Sequence, residues 1–153
     1  MQTSDRRIEV TIASQQLELR EGETLLRRYP ISTSAYGVGS APGSLKTPAG
    51  KFRIAEKIGH GAPAGMIFRS RLPTGEIGSA DNPEDLVLTR ILWLDGLEDQ
   101  NRNTHERYIY IHGTNQESAI GTPASHGCIR MRNMDVIDLF DMVETETEVR
   151  IHP

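Results

Sequence analysis

The sequence predicts a mainly β fold, a compact sandwich or barrel with one helix near the C-terminus. Two observations lead to this prediction: apolar and polar residues alternate in most segments, and one late stretch has helical spacing. The chain has 153 residues, of which 37% are hydrophobic and 25% are charged. These values are typical of one globular domain, residues 1–153, that can bury a core without disulfides.

The N-terminal third predicts three strands followed by a long loop. Residues 8–12 (IEVTI) and 16–21 (QLELRE) alternate strictly, so they are expected to form a hairpin. Residues 25–33 predict a third strand, and Pro30 favours a position at a sheet edge or a bulge. Residues 34–50 are dense in Gly, Pro and Ser, which indicates a loop.

The middle of the chain predicts two strands separated by a second long loop. KFRIAEKI, residues 51–58, and LVLTRILWLDG, residues 86–96, have strand composition. Residues 59–83 are rich in Gly and Pro and contain one short strand candidate, MIFRSRL. Since long loops in compact domains often cover binding sites, this loop is a candidate lid.

The last third predicts a strand, a helix and a final strand. RYIYIHG leads to His112 as a strand, and TEVRIHP closes the chain as another. Between them, Asn133 is a suitable N-cap and Asp135 suits the first turn of a helix. One face of this helix collects the apolar residues Val136, Ile137, Phe140 and Val143.

Charge and hydropathy restrict the function classes. The formal net charge of −4 gives no electrostatic argument for binding nucleic acid or an anionic membrane. No window approaches the roughly 20 apolar residues of a membrane span. The N-terminal residues lack a signal-peptide pattern. We therefore expect a cytoplasmic protein if Met1 is the native start, and a periplasmic or cell-envelope protein otherwise.

The stretch SHGCIRM holds the single cysteine of the chain, Cys128, and predicts a nucleophile. A free thiol has a pKa of about 8.5, so it needs a base to become reactive at neutral pH. His112 ends a predicted strand and is the expected base, whereas His126 lies too close in sequence for suitable geometry. No acidic residue adjoins His112, which leaves the carbonyl of Gly113 to orient its ring. Such a site predicts thiolate reactivity near neutral pH.

The residues around Cys128 suggest further roles. His126 is expected to shape the loop or to bind substrate. The amides of Gly127 and Cys128 could stabilise an oxyanion, and Arg130 could pair with a substrate carboxylate. Tyr110 shares a strand face with His112 and either lines the site or packs. Other cations that could read carboxylates are Arg132, Arg69 and Arg71.

Two plainer interpretations remain open at this point. A lone cysteine is more often a small buried hydrophobic residue than a nucleophile. A zinc site could instead use His112, His126 and Cys128, with His105 or His60, although the spacing HGC does not match usual ligand pairs.

The stretch IHGTNQESAIGTPASHGCIRM resembles the active-site signature of the L,D-transpeptidase catalytic domain family, the YkuD type. The upstream segment with Thr47, Pro48, Gly50 and Phe52 resembles the family's T-P-x-G-x-F element. The likeness spans residues 8–152. It implies an L,D-transpeptidase-like β-sandwich or barrel.

The resemblance also implies a mechanism and a substrate. Cys128 would be the nucleophile, His112 the base and Gly113 the orienting carbonyl, while Ser125, His126 and Gly127 would build the loop and oxyanion hole. The partners would be peptidoglycan stem peptides or muropeptides, cleaved before the terminal D-Ala. No cofactor and no metal are required. Many members have Asn where this chain has Arg130, so the role of that Asn is not transferred.

The fate of the acyl group is left open by the resemblance. Without an export signal we expect hydrolysis of tetrapeptide to tripeptide, an L,D-carboxypeptidase activity. The alternative is transpeptidation to 3→3 cross-links or exchange of D-amino acids. A third hypothesis is an inactive domain that binds muropeptides or senses oxidation through its thiol.

Overall fold

A computed structural model describes residues 5–153 of the chain. It contains ten strands and one α-helix in the order expected for a mainly β protein. The strands are β1 (Arg6–Thr11), β2 (Gln16–Glu21), β3 (Thr24–Ser32), β4 (Gly50–Ile58), β5 (Met66–Arg69), β6 (Leu72–Ile77), β7 (Val87–Gly96), β8 (Tyr110–Gly113), β9 (Ile129–Met131) and β10 (Glu148–His152). The helix is α1 (Asn133–Met142). Short 3₁₀ helices span Asp99–Asn101 and Glu117–Ala119.

The sheet closes on itself. Neighbouring strands follow the order β4-β10-β1-β2-β3-β9-β8-β7, and β7 pairs back to β4, which completes a barrel. Most pairs are antiparallel, but β1–β10 and β8–β9 are parallel. Because closure leaves no free edge in the ring, the barrel satisfies its backbone hydrogen bonds internally.

The hairpin of β5 and β6 lies outside this ring and pairs with the start of β7. It occupies part of the segment expected to be a loop, and β6 was not predicted as a strand. All six residues of β6 are exposed, so its sequence has no alternating apolar signal. Its backbone pairing with β5 makes it a strand.

The barrel interior holds the main core. Alternate residues of the long strand β7 point inward, among them Leu92 and Leu94, and pack with the buried face of α1. The intervening residues Ile91 and Trp93 point outward, into a smaller cluster covered by the β5–β6 hairpin. Both faces of β7 are therefore buried, which explains its nearly continuous apolar sequence.

The helix begins where the sequence predicts, but the predicted N-cap is wrong by one position. Arg132 is the N-cap, and Asn133 is the first helical residue. The side chain of Asn133 donates instead to the carbonyl of Thr114 and accepts a hydrogen bond from the hydroxyl of Thr89. These contacts tie the helix to the strands that carry the site. Within residues 5–153, no helix is long and apolar enough to cross a membrane.

Candidate active site

The parallel pair β8–β9 determines which side chains meet. Ile111 lies opposite Ile129, and both point into the core. Successive side chains of a strand point to opposite faces. The residues on either side of these two therefore share the outer face of the barrel: Tyr110, His112, Cys128 and Arg130. The two strands thus bring residues 16 positions apart in sequence onto one surface.

Cys128 lies immediately before β9, half-buried against the outer cluster that contains Tyr110 and Trp93. Its Sγ donates to the carbonyl of Tyr108 and accepts from the amide of Tyr110, each at 3.3 Å. Burial raises the pKa of the thiol to about 11, and the Tyr110 amide only partly opposes this effect. The thiol is therefore protonated at neutral pH.

His112 is buried, with 2% of its surface exposed. Its Nδ1 lies 2.5 Å from the carbonyl of Gly113. Because a carbonyl only accepts, Nδ1 carries the proton and Nε2 has a free lone pair. Burial lowers the pKa of the imidazole despite this hydrogen bond. The ring is therefore a neutral base, oriented by a backbone group.

The packing around Gly113 leaves no room for a side chain. A Cβ at this position would lie about 2.7 Å from the carbonyl oxygen of Leu88 and would also overlap the side chain of Asn133. The close approach of β7 and α1 therefore requires glycine here.

The site rests as a neutral thiol beside a neutral imidazole, because burial shifts both pKa values toward the uncharged forms. The expected reactivity of Cys128 near neutral pH stays a prediction, and it would depend on proton transfer to His112. Among the hydrogen bonds of residues 5–153, none joins Cys128 to His112; such contacts often tighten only with substrate bound. Proton transfer would then accompany the attack of sulfur.

The loop before Cys128 is fixed by a few hydrogen bonds. The Ser125 hydroxyl donates to the Cys128 carbonyl at 2.6 Å and accepts from the Gly127 amide at 3.3 Å. Thr47 donates to the Gly127 carbonyl at 3.0 Å. Gly127 has φ +127°, a conformation that disfavours other residues. The Gly127 amide, which the sequence predicts to stabilise an oxyanion, therefore donates to the Ser125 hydroxyl in this structure.

Arg130 is buried, with 1% of its side chain exposed, and it contacts the protein's own polar groups. Its Nη2 lies 2.8 Å from the carboxylate of Asp85, and Nη1 donates to Gln116 at 3.2 Å. The idea that Arg130 binds a substrate carboxylate stays a prediction, and this geometry favours an internal role. Arg132 is exposed at the helix N-cap.

Asp85 was not identified from the sequence, yet it connects two of the predicted residues. The oxygen that pairs with Arg130 also lies 3.1 Å from Nδ1 of His126. Burial would raise the pKa of Asp85, but the hydrogen bonds from Arg130 and His126 outweigh it and lower the pKa. The carboxylate is therefore ionised at neutral pH. No sequence signal marks Asp85, since it precedes His126 by 41 residues.

An aromatic wall borders Cys128 on the side of the β5–β6 hairpin. Trp93 stacks on His105 with centroids 3.9 Å apart and meets Tyr110 edge to face. The Arg71 guanidinium, from the turn of the hairpin, lies 4.8 Å from the centre of Trp93 and 5.1 Å from that of Tyr108. It also donates to the Tyr110 hydroxyl at 3.2 Å. Arg71 thus fastens the hairpin beside the thiol.

The zinc interpretation can be tested against this geometry. In the described part of the chain, no three His, Cys, Asp or Glu side chains are grouped so that they could hold a metal ion. His105 points to Glu56, and His126 points to Asp85.

Comparison with known proteins places the chain in a family. Residues 5–151 match the sequence model of YkuD, the L,D-transpeptidase catalytic domain. The chain is 31% identical over 147 residues to the Bacillus licheniformis protein YkuD and 31% over 145 residues to that of Bacillus subtilis, both assigned by name to the L,D-transpeptidases. The alignments cover 96% and 95% of this chain but only 66% and 65% of those proteins. The chain therefore spans just under two thirds of their length.

Solved structures show the same fold. An L,D-transpeptidase from Xylanimonas cellulosilytica superimposes with a TM-score of 0.63 and 23% identity, covering 99% of this chain and 62% of that one. One from Mycobacterium smegmatis gives 0.61 and 18%, covering 97% and 59%. These likenesses confirm the predicted fold class, a mainly β barrel with one helix.

Proposed function

The chain belongs to the YkuD family of L,D-transpeptidase catalytic domains, and from that membership we propose that it is a cysteine acyltransferase acting on peptidoglycan stem tetrapeptides. One observation carries the proposal. Cys128 shares the outer face of the barrel with His112, a neutral imidazole whose Nδ1 is held by the Gly113 carbonyl. A nucleophile, a base and a group that orients the base are the parts that acyl transfer requires.

The first half of the reaction forms an acyl-enzyme. Nε2 of His112 accepts the thiol proton as Sγ of Cys128 attacks the carbonyl of the third residue of the stem. The tetrahedral intermediate then collapses, the C–N bond to terminal D-Ala breaks, and the proton passes from His112 to the leaving amine. The stem remains on Cys128 as a thioester.

The second half releases the acyl group. An amine or a water molecule attacks the thioester, the C–S bond breaks, and the proton lost by the attacking group returns the sulfur to a thiol. A stem side-chain amine as acceptor gives a cross-link, a D-amino acid gives exchange, and water gives the tripeptide. We propose the transpeptidase type of transfer as the family activity, with hydrolysis as its competing branch.

The surroundings of the thiol support a peptide substrate. The exposed Tyr108 and the guanidinium of Arg71 lie on one side of Cys128, next to Trp93 and Tyr110. Stem peptides carry several carboxylates, and the Arg71 guanidinium lies against the rings of Trp93 and Tyr108 in this aromatic wall. We therefore assign substrate contact to this wall rather than to the buried Arg130.

Product analysis by mass spectrometry tests the proposal. A purified disaccharide-tetrapeptide is incubated with the protein alone, with a D-amino acid, and with a second stem peptide. Exchanged or dimeric product would identify the transpeptidase branch, and loss of one alanine without acceptor would identify the hydrolytic branch. Cys128→Ala is the control and should give neither.

A different result would favour the third hypothesis. If the wild-type protein binds the muropeptide but gives none of these products, while its thiol still reacts with iodoacetamide, the domain is an inactive binder or a thiol sensor. The acyltransferase proposal would then be wrong.

A further inference from the structure

A second histidine, His126, lies two residues before Cys128 in sequence and has no part in the proposed acylation step. His126 projects from the loop before Cys128 with about half of its side chain exposed. Its Nδ1 lies 3.1 Å from Asp85, which is ionised and can only accept. The neutral ring therefore donates through Nδ1 and has an unprotonated Nε2. A carboxylate that orients an imidazole in this way is the arrangement of a general base.

Two other surface histidines contact carboxylates through a different ring nitrogen. His105 and His152 also contact carboxylates, those of Glu56 and Glu9, but each does so through Nε2. In those pairs the outermost nitrogen of the ring is occupied. In His126 the inner nitrogen is occupied instead, and the outer one is available to a ligand.

Asp85, the partner of His126, is held in place by a buried arginine. Asp85 shares its Oδ2 with the buried guanidinium of Arg130, on the strand that begins one residue after the thiol. The charge of Asp85 is close enough to influence both Cys128 and His112. The pair is therefore fixed to the strand that carries the reacting sulfur and borders the site.

We propose that His126 is the general base for the acceptor step and that Asp85 is its positioning residue. The inference rests on the proposed acyltransferase activity and deepens it. When an amine or water attacks the Cys128 thioester, its proton passes to Nε2 of His126 as the new C–N or C–O bond forms. The C–S bond breaks, and the proton on His126 is returned to the thiolate.

This division separates the two half-reactions between two histidines. His112 serves the buried thiol, while His126 faces the solvent from which the acceptor arrives. Asp85 acts through His126, since the oxygen that His126 contacts is also paired with Arg130 and the carboxylate stays ionised. The prediction is that removal of Nε2 of His126 slows deacylation and leaves acylation intact.

The test uses intact-protein mass spectrometry of the full chain turning over a disaccharide-tetrapeptide with and without a D-amino acid. His126→Asn keeps a side-chain amide that can donate to Asp85 but lacks Nε2. We expect the tripeptide adduct on Cys128 to accumulate in this variant and turnover to fall about 10²-fold. His152→Gln is the matched control, because His152 is equally exposed and paired with a carboxylate far from the site.

The role of Asp85 is tested in the same assay. Asp85→Asn should accumulate adduct, and Asp85→Glu should recover part of the turnover because it restores the carboxylate. Iodoacetamide labelling of Cys128 at pH 9 should be no slower in Asp85→Asn, since the Asp85 charge raises the thiol pKa. A change that merely distorted the loop would slow labelling as well.

The outcomes separate the two proposals. Suppose that the wild-type protein turns the substrate over. If His126→Asn then reacts at the same rate, or accumulates no adduct on Cys128, the proposed role of His126 is overturned but the acyltransferase proposal stands. A wild-type protein that forms neither adduct nor product overturns the acyltransferase proposal, and the acceptor base with it.

Discussion

His112 lies on the strand paired with that of Cys128, and His126 lies two residues before Cys128; the surroundings of the two imidazoles are opposite. His112, on β8, is 2% exposed and is held by a backbone carbonyl. His126, on the preceding loop, has a side chain 53% exposed and is held by a carboxylate. The pKa of the buried His112 ring is lowered because its protonated, charged form would be shielded from water.

This difference is the physical basis for the proposal that the two histidines serve two separate proton transfers. A buried neutral base matches a half-buried neutral thiol, because neither carries a charge that the protein must stabilise before substrate arrives. An exposed base with an ionised partner suits an acceptor that enters from water.

Removing the buried base should have the largest effect. His112→Asn keeps a donor for the Gly113 carbonyl but has no Nε2, so we expect release of D-Ala to fall about 10²–10⁴-fold. Steady-state kinetics on the tetrapeptide measure this loss. A decrease below tenfold, in a variant that melts like the wild type, would contradict the assignment of His112.

Removing the carboxylate of the exposed side should cost stability. Asp85→Asn leaves the buried guanidinium of Arg130 without its anion, and breaking a buried ion pair costs about 3–5 kcal/mol. We expect the lower end, since a quarter of the Asp85 side chain is exposed. Urea unfolding of wild type and variant at pH 7 gives the difference.

The pH dependence of that difference has a definite sign. The folded pKa of Asp85 lies below its ordinary value of 3.8, so its contribution is fully present above that value. It is lost as the pH falls through the folded pKa. Unfolding measured from pH 7 to pH 2 should show the two proteins converging below about pH 4. A difference that persists unchanged at pH 2 would show that the charge is not the cause.

Filling the space beside the buried base should cost less. In Gly113→Ala the new methyl meets Leu88 and Asn133, and overpacking of this kind costs about 1–3 kcal/mol. Gly39→Ala is the control, because its Cβ would meet only the flexible side chain of Lys46. Thermal unfolding compares the two. Equal melting temperatures would show that the close approach at Gly113 is not required.

Loosening the hairpin should have the smallest effect on stability. Arg71→Ala removes the guanidinium from the faces of Trp93 and Tyr108 and from the Tyr110 hydroxyl. At this exposed position we expect unfolding to change little, but KM for the tetrapeptide to rise severalfold. An unchanged KM would remove Arg71 from the substrate wall.

The sequence predicts much of this fold because barrel strands alternate. Ile8, Val10, Leu17 and Leu19 all point into the core, as their spacing indicates. Strand β6 escaped prediction because all its residues are exposed. Asn133 was placed at the wrong cap position because its side chain binds neighbouring strands, a tertiary contact that local sequence does not contain.

For the site, too, residues in local sequence patterns could be predicted, whereas residues that matter through tertiary contacts could not. Cys128 and His112 could be proposed from sequence because each lies in a recognisable local pattern, a small-residue loop and the end of a strand. Asp85 could not, because its importance comes from the fold bringing one carboxylate between Arg130 and His126. The internal pairing of Arg130 is likewise a property of the folded barrel.

The most direct test of this account is a rapid-quench measurement of D-Ala release from the tetrapeptide. The first turnover reports acylation, and the steady state reports the acceptor step. We predict that His112→Asn loses the first-turnover burst, whereas His126→Asn retains the burst and loses the steady rate. If both variants lose the burst, or both retain the steady rate, the two imidazoles do not divide the reaction and the account is contradicted.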